Sequence, residues 1–123
     1  MIFGIGTDIT EVKRFEKWVK DESMINRFFN EQEQMKSGTL SARCQHYAAR
    51  FAAKEAFSKA LGTGLVFDLK DVYIQKNQDG KPSLQVINSA RNVMTDKCGN
   101  CNIHVSLSHE KEYATAFVVI EKQ

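Results

Sequence analysis

The hydrophobic and polar residues of this chain recur with two different periods, which predict strands in some segments and helices in others. Residues 102–109 alternate, with Ile103, Val105 and Leu107 on one side, as expected of a strand with one buried face. Strands are also predicted over residues 2–9, 71–76, 83–87 and 113–121. Helices are predicted over residues 11–20 (with Thr10 as N-cap), 23–29, 30–37 (short and polar), 40–61 and 88–97 (with Asn88 as N-cap).

These elements predict an α+β fold in one compact domain spanning residues 1–123. Residues 77–82 form a strong hairpin-turn signal, and residues 110–112 form a polar turn between the last two strands. Strands joined in this way pair antiparallel, and the helices are segregated from most of them. We therefore expect a mostly antiparallel sheet packed against a long central helix. No repeat or low-complexity segment marks a linker.

Composition and charge narrow the class of protein. The 123 residues are 42% hydrophobic and 26% charged, which is usual for a globular protein. A net charge of +2 provides no strong electrostatic argument for nucleic-acid binding. No apolar run approaches the roughly 20 residues that a membrane span needs, and residues 1–4 lack signal-peptide features. We expect a cytoplasmic protein with neither a nucleic acid nor a membrane as partner.

The three cysteines are expected to be reduced thiols, as in most cytosolic proteins. Cys98 and Cys101, with His104 nearby, could suggest zinc, but a structural zinc site needs four ligands and no second cysteine pair is present. A redox-active CxxC usually begins a helix, whereas this one follows a predicted helix. A turn with incidental thiols is the favoured interpretation, and no role is assigned to these two residues or to Cys44.

The long predicted helix would pack its alanine-rich side and display a charged side. At about 100° per residue, the displayed side carries five polar residues, Arg50, Lys54, Glu55, Ser58 and Lys59. The helix stops at Gly62-Thr63-Gly64, a loop that permits a tight turn and close approach to a ligand. A carboxylate among cations beside such a loop suits a metal-bound phosphate. Glu55 and Lys59 also have the i,i+4 spacing of an ordinary exposed ion pair. The sequence of this helix, taken without the other segments, favours that ion pair over a phosphate site.

Two further candidates lie at strand ends. Asp8 and Glu55 could supply the one or two carboxylates that Mg²⁺ takes alongside substrate phosphates, if the first strand meets the long helix. An aspartate that caps the following turn is an equally good interpretation of Asp8 alone. Ser108-His109 lacks the G-x-S-x-G nucleophile elbow of a hydrolase. His109 could bind phosphate or sugar hydroxyls, or be a surface histidine in a turn.

The first predicted helix carries a cluster of basic residues, Lys13, Arg14, Lys17 and Lys20. Such a face could dock an acidic partner through electrostatic steering. Glu11 and Glu16 lie on the same helix, which favours the simpler alternative of a solvated face.

Taken together and in order, these motifs resemble the holo-acyl-carrier-protein synthase family of small bacterial 4′-phosphopantetheinyl transferases. Three segments carry the resemblance: GIGTDITEVKRF from Gly4, RFAAKEAFSKALGTG from Arg50, and VSLSHEKEYATAFVVIE from Val105. The segment NQDGKPS from Asn77 also fits the family's turn before its next strand. The resemblance covers nearly the whole chain.

The resemblance implies transfer of the 4′-phosphopantetheine arm of coenzyme A to a serine of apo-acyl carrier protein, with Mg²⁺ required and adenosine 3′,5′-bisphosphate released. Asp8 and Glu55 would hold the ion, and Lys59 would neutralise charge on the phosphates. Arg50 and Lys54 would contact substrate phosphates or shape the pocket. Either Glu55 or a water on the metal could remove the serine proton.

The resemblance also implies substrate contacts and an assembly. Gly62, Thr63 and Gly64 would let the backbone approach the adenine nucleotide, although residues 65–68 lack a further glycine common in relatives, so the loop could differ in detail. His109 would lie near the ribose 3′-phosphate, at a neighbouring subunit's site in a homotrimer. Arg14, helped by Lys13 and Lys17, would meet the acidic helix of the carrier protein.

Two alternatives from other classes remain open. One is a module that binds coenzyme A or another nucleotide without catalysis, and the other is an interaction protein whose basic helix docks acidic partners. The carboxylates Asp8 and Glu55 argue against the first, because binding alone does not require two metal ligands. The glycine loop argues against the second.

Overall fold

The computed structural model describes residues 1–123 and contains five strands and four α-helices. In chain order they are β1 (Ile2–Glu11), α1 (Glu16–Val19), α2 (Glu22–Phe28), α3 (Leu40–Leu61), β2 (Val72–Lys76), β3 (Pro82–Val86), α4 (Asn88–Cys98), β4 (Cys101–His109) and β5 (Tyr113–Lys122). Short 3₁₀ helices cover Val12–Phe15, Glu31–Glu33 and Leu69–Asp71. None of the helices has the length and apolar character needed to cross a membrane.

The strands form two antiparallel sheets that lie against α3. One sheet has the order β1-β5-β4, and the other is the β2-β3 hairpin. The core has two parts, one between α3, α4 and the sheets and the other between α3 and the N-terminal helices, so α3 belongs to both. The α+β class, the antiparallel pairing and the central helix are therefore confirmed. The antiparallel strands are divided between two sheets, of three and two strands.

Glycines bring β1 against the backbone of α3. A Cβ atom added to Gly4 would lie 1.8 Å from the carbonyl oxygen of Ala60, and one added to Gly6 would lie 1.9 Å from that of Ala56. Only glycine opposite alanine allows a strand and a helix to approach this closely. The contact fixes where along α3 the following residues of β1 lie.

The predicted helix over residues 11–20 is wrong at its start. The strand continues to Glu11, because Thr10 pairs with Ala114 of β5 and the Val12 N–H donates to the carbonyl of Glu112 at 2.8 Å. Thr10 is not an N-cap; its hydroxyl donates to Asp8 Oδ2 at 2.8 Å. Pairing with a strand a hundred residues away thus overrides the local helical pattern.

The other helix starts also differ slightly from the predictions. Asp21 caps α2, and its Oδ1 accepts from the Ser23 N–H at 3.1 Å, so that helix starts one residue before Ser23. Asn88 is the first residue of α4 rather than its cap and has φ of 46°. The polar stretch 30–37 is helical only over Glu31–Glu33, where Asn30 and Glu33 form a capping box.

The cysteine side chains lie at two places in the fold. Cys98 ends α4 and Cys101 begins β4, and their sulfur atoms come close together across the intervening turn, with Cα atoms 6.6 Å apart. Cys44 is buried in α3 and lies apart from this pair. The expectation that the cysteines are reduced thiols stays a prediction.

Candidate active site

Residues from β1 and α3 converge where the two elements cross. Gly4 lies on Ala60 and Gly6 on Ala56, so β1 runs toward the N-terminal part of α3, and Lys59 places its Nζ 3.2 Å from Asp8 Oδ1. The same Nζ donates to the carbonyl of Thr7 at 3.0 Å. The side chain of Lys59 is 54% exposed and that of Asp8 16%, so this pair opens to solvent. The structure thus brings together two of the three residues predicted to be catalytic.

Glu55, the third, lies within electrostatic reach of this pair. Partial burial and then the charge of Asp8 raise the pKa of the Glu55 carboxyl, while Lys59 and Arg14 act in the opposite direction. Two carboxylates that repel each other at a half-open surface form an arrangement that a cation would stabilise. The hydroxyl of Thr10 orients the Asp8 carboxylate, a contact that sequence reasoning missed by treating Thr10 as a cap.

The donor set fits a metal ion that the substrate completes. No group of three or more His, Cys, Asp and Glu side chains could hold a metal by itself. Mg²⁺ commonly takes one or two carboxylates and fills its remaining positions with substrate phosphates and water. Asp8 and Glu55 match that pattern of hard oxygen ligands, and the exposure of the neighbouring Lys59 leaves room for an anionic substrate.

Lys54 is buried, and its predicted place on a displayed face is wrong. Its side chain has no exposure, and its Nζ donates to Glu33 Oε2 at 2.6 Å, to the carbonyl of Leu69 at 2.9 Å and to the carbonyl of Val72. An ammonium has three donors, so none is left for a substrate phosphate. Ser58 is also buried and donates to the carbonyl of Glu55 at 2.7 Å. Lys54 and Ser58 are buried because other elements of the fold pack against two sides of α3.

Arg50 lines a different surface from the Asp8 cluster. It borders a cavity of about 300 Å³ together with His46 and the strand residues Tyr73–Lys76. Its Nη1 donates to the His46 carbonyl at 3.3 Å, and its buried Nε has no partner. The His46 Nε2 lies 2.6 Å from the carbonyl of Glu33, and burial, followed by the charge of Arg50, lowers the pKa of this histidine to about 4. The substrate-contact role of Arg50 stays a prediction.

The glycine loop follows the active-site turn of α3 directly. Gly62 has φ of 77° and ends the helix, with its N–H shared between the carbonyls of Ser58 and Lys59. Nothing lies within 4 Å of a Cβ placed on Gly62 or Gly64, so both glycines border open space. Thr63 is half-buried, and its hydroxyl donates to the Gly64 carbonyl at 2.9 Å. The loop therefore offers accessible backbone beside Lys59, as a nucleotide contact would require.

His109 lies at the end of β4, the strand at the opposite edge of the sheet from β1. It pairs with Ala114 of β5, which in turn pairs with Thr10, and two strand spacings of about 4.8 Å separate His109 from Thr10. Its Nδ1 is 2.9 Å from Gln45 Oε1 on α3, and the ring is exposed. Within one chain, the structure does not bring His109 to the Asp8 cluster.

The basic residues Lys13, Arg14 and Lys17 are all exposed, on the 3₁₀ helix and on α1. Lys13 borders a cavity of about 610 Å³ that also involves Leu40, Cys44 and Tyr113. Arg14 instead lies over aromatic rings, the nearest being that of Phe51.

The outer face of the β1-β5-β4 sheet exposes large apolar side chains on β1 and β5, which sequence reasoning missed. Ile5 and Ile9 are 55% and 65% exposed, and Tyr113 and Phe117 of β5 are 45% and 46% exposed. A signal was present, since β1 alternates isoleucine with glycine over residues 4–6. The large side chains would ordinarily be assigned to the core, but the glycines face α3 and the isoleucines face outward.

Comparisons with known proteins agree with this architecture. The family model of the 4′-phosphopantetheinyl transferase superfamily matches residues 4–118. A holo-[acyl-carrier-protein] synthase of Treponema denticola is 46% identical and covers 98% of this chain and 99% of its own length. The holo-(acyl-carrier-protein) synthase of Bacillus anthracis in complex with CoA (3′,5′-ADP) has a TM-score of 0.82 at 35% identity, covering 100% of this chain and 99% of its own. The Helicobacter pylori enzyme, solved in complex with coenzyme A, has a TM-score of 0.77 at 30% identity, covering 95% and 99%.

These similarities extend over nearly the full length of the compared chains, in sequence and in structure. They confirm the family that the three sequence motifs resemble, as well as the α+β fold expected from it. The chain therefore belongs to the holo-acyl-carrier-protein synthase family, within the 4′-phosphopantetheinyl transferase superfamily.

Proposed function

We propose that this enzyme transfers the 4′-phosphopantetheine group of coenzyme A to a serine of apo-acyl carrier protein, requires Mg²⁺ and releases adenosine 3′,5′-bisphosphate. The observation that carries the proposal is the convergence of Asp8 and Lys59 with Glu55 beside an open glycine loop. Family membership supports the transferase activity, and relatives solved with coenzyme A support that substrate.

In this reaction the serine oxygen forms a bond to the phosphorus that carries the pantetheine arm. The bond from that phosphorus to the departing adenosine 3′,5′-bisphosphate breaks, and the serine proton passes to a base, for which Glu55 or water could serve. Asp8 and Glu55 would hold Mg²⁺, which when bound would neutralise charge on the pyrophosphate. Lys59, exposed and already oriented by two oxygen acceptors, would exchange one of these contacts for a phosphate oxygen.

Intact-mass analysis tests this reaction. Apo-acyl carrier protein incubated with the enzyme, coenzyme A and Mg²⁺ should gain about 340 Da, the mass of one phosphopantetheine group. EDTA should prevent the gain, and added Mg²⁺ should restore it. Binding of coenzyme A without any gain on several carrier proteins would instead favour the non-catalytic nucleotide-binding module.

The exposed cations Lys13, Arg14 and Lys17 are proposed to dock the acidic carrier protein. Steering between opposite charges weakens as salt shortens the screening length, so added salt should raise the KM for the carrier protein more than the KM for coenzyme A. Arg14→Glu should have the same selective effect. Equal changes in both KM values would contradict docking at this face.

The proposed assembly is a homotrimer with active sites at subunit interfaces. Support comes from the exposed apolar side chains of Ile5, Ile9 and Phe117, because a contiguous apolar patch on a protein surface usually marks an interface. Native mass spectrometry should detect three chains, and Phe117→Lys should dissociate them and lower activity if His109 acts on a neighbouring site. A monomer active at nanomolar concentration would contradict the proposal. The cytoplasmic location stays a prediction, which cell fractionation would test.

A further inference from the structure

Arg14 is held by contacts that the neighbouring lysines lack. Its guanidinium carbon lies 5.0 Å from the ring centroid of Phe51, 5.6 Å from that of Trp18 and 5.9 Å from that of Phe15. These distances are within the range of cation–π interactions, and arginine also stacks favourably on aromatic faces. Lys13 and Lys17 have no such aromatic contact, so one of the three basic residues is distinguished by its surroundings.

The rings beneath Arg14 are themselves firmly held. Phe15 is fully buried and Phe51 is 5% exposed, so neither ring is free to reorient in solvent. Trp18 contacts Phe51 edge-on at 5.5 Å and stacks with Phe28 at 5.2 Å. The three rings therefore form a rigid support, which we call the aromatic platform (Phe15, Trp18 and Phe51).

The hydrogen-bonding capacity of Arg14 remains available. Its side chain is exposed, and the ion pairs of the chain involve other residues. A guanidinium that rests its face on aromatic rings keeps its N–H groups along its edge, where they can bind both oxygens of a carboxylate. Because the aromatic rings already restrict the Arg14 side chain, binding a partner carboxylate costs less conformational entropy.

The platform also relates Arg14 to the active site. Phe51 and Glu55 are four residues apart on α3, and therefore on the same side of that helix. A partner carboxylate bound to Arg14 would thus be placed at a set position relative to Glu55. A flexible cation on a solvated face would not provide this alignment.

We propose that Trp18 and Phe51 position Arg14 to bind a carboxylate of the carrier protein in a fixed orientation. This inference rests on the proposed docking of the carrier protein. Trp18 and Phe51 are positioning residues that act through Arg14. Lysine in place of Arg14 would keep the charge but lose the paired hydrogen bonds.

A double-mutant cycle in the full-length enzyme tests the proposal. The variants are Arg14→Ala, Trp18→Leu and the double variant, with Trp18→Phe as the ring-preserving control. Lys97→Ala, at an exposed position on α4 outside the proposed docking face, is the charge-matched control and should leave both KM values unchanged. Trp18→Leu should raise the KM for the carrier protein about fivefold and leave the KM for coenzyme A unchanged, whereas Trp18→Phe should stay within about twofold of wild type. In the Arg14→Ala background, Trp18→Leu should add less than about twofold, since the group through which it acts is gone.

The outcomes separate this inference from the docking proposal. An equal effect of Trp18→Leu with and without Arg14 would overturn positioning, since Trp18 would then act independently. Normal carrier-protein kinetics in Arg14→Ala would overturn both docking by Arg14 and its positioning, while the transfer reaction itself would stand. If Trp18→Leu does not fold, the emission of Trp18, the one tryptophan of the chain, should change in Arg14→Ala. Unchanged emission would show that the stack is absent in solution.

Discussion

Lys54→Met should destabilise the enzyme strongly while sparing catalysis, the opposite of what a substrate-binding lysine would show. The Lys54 ammonium and the Glu33 carboxylate are both fully removed from solvent and lie 2.6 Å apart. Methionine fills a similar volume but removes the charge. It would leave Glu33 buried without its cation and the Val72 carbonyl without a donor, while the Leu69 carbonyl would keep only the Val72 N–H.

The magnitude follows from these contacts. Removing one partner of a buried ion pair costs about 3–5 kcal/mol of unfolding free energy, mainly because the remaining charge is uncompensated. Glu33 keeps only the hydrogen bond from the Asn30 N–H, at 2.9 Å, and its Oε1 already lacks a partner. For a domain of this size the loss corresponds to about 10–20 °C in Tm.

Lys59→Met is the matched control, because Lys59 is on the same helix and pairs with Asp8 at a half-exposed site. Its stability cost should be below about 1 kcal/mol, as for other exposed ion pairs. Urea unfolding followed by circular dichroism gives both free energies, and transfer rates at 15 °C give the activities of the folded variants. We expect Lys54→Met to be unstable but active and Lys59→Met to be stable but nearly inactive.

Equal stability losses in the two variants would refute the reasoning from burial. Loss of transfer in a fully folded Lys54→Met enzyme would restore the original expectation that this lysine contacts substrate. The double variant Glu33→Gln/Lys54→Met provides a further check. It should be more stable than Lys54→Met alone, because it leaves no buried charge.

Three other predictions follow from the geometry. Glu55→Gln should nearly abolish transfer and leave the fold intact, because it weakens a metal ligand. Glu16→Gln, at an exposed position, is the control. Full activity of Glu55→Gln in the mass assay would contradict the metal assignment. Gly6→Ala should lower the unfolding free energy by more than about 3 kcal/mol, because its Cβ would meet the Ala56 carbonyl oxygen at 1.9 Å. A variant with the urea midpoint of wild type would show that β1 and α3 are less closely packed at Gly6 than this distance requires. His46 has a folded-state pKa of about 4, below its ordinary value of 6.5, so the unfolded chain takes up this proton first as the pH falls. Stability should therefore be lost between about pH 6.5 and pH 4, by at most about 3 kcal/mol, and His46→Asn should lose less over that interval.

Local patterns predicted the parts of the fold that depend on neighbouring residues. The long helix was predicted over residues 40–61 and is observed at Leu40–Leu61, because its periodic alanines and its terminal glycine act within the helix. Both hairpins were predicted from their turn residues and are confirmed. The failure at residues 11–20 occurred where β5 offers a partner strand that no local pattern includes.

The candidate site was predicted as a set of residue types and motifs, but its geometry depends on tertiary contacts. The two lysines of α3 show the difference, since Lys54 and Lys59 are five residues apart and read alike in the sequence. One is fully buried beside Glu33 and the other is open beside Asp8. Local sequence specifies the helix, the glycines and the available charges. Which of those charges meets solvent is a property of the folded chain, because exposure depends on what packs against each side of the helix.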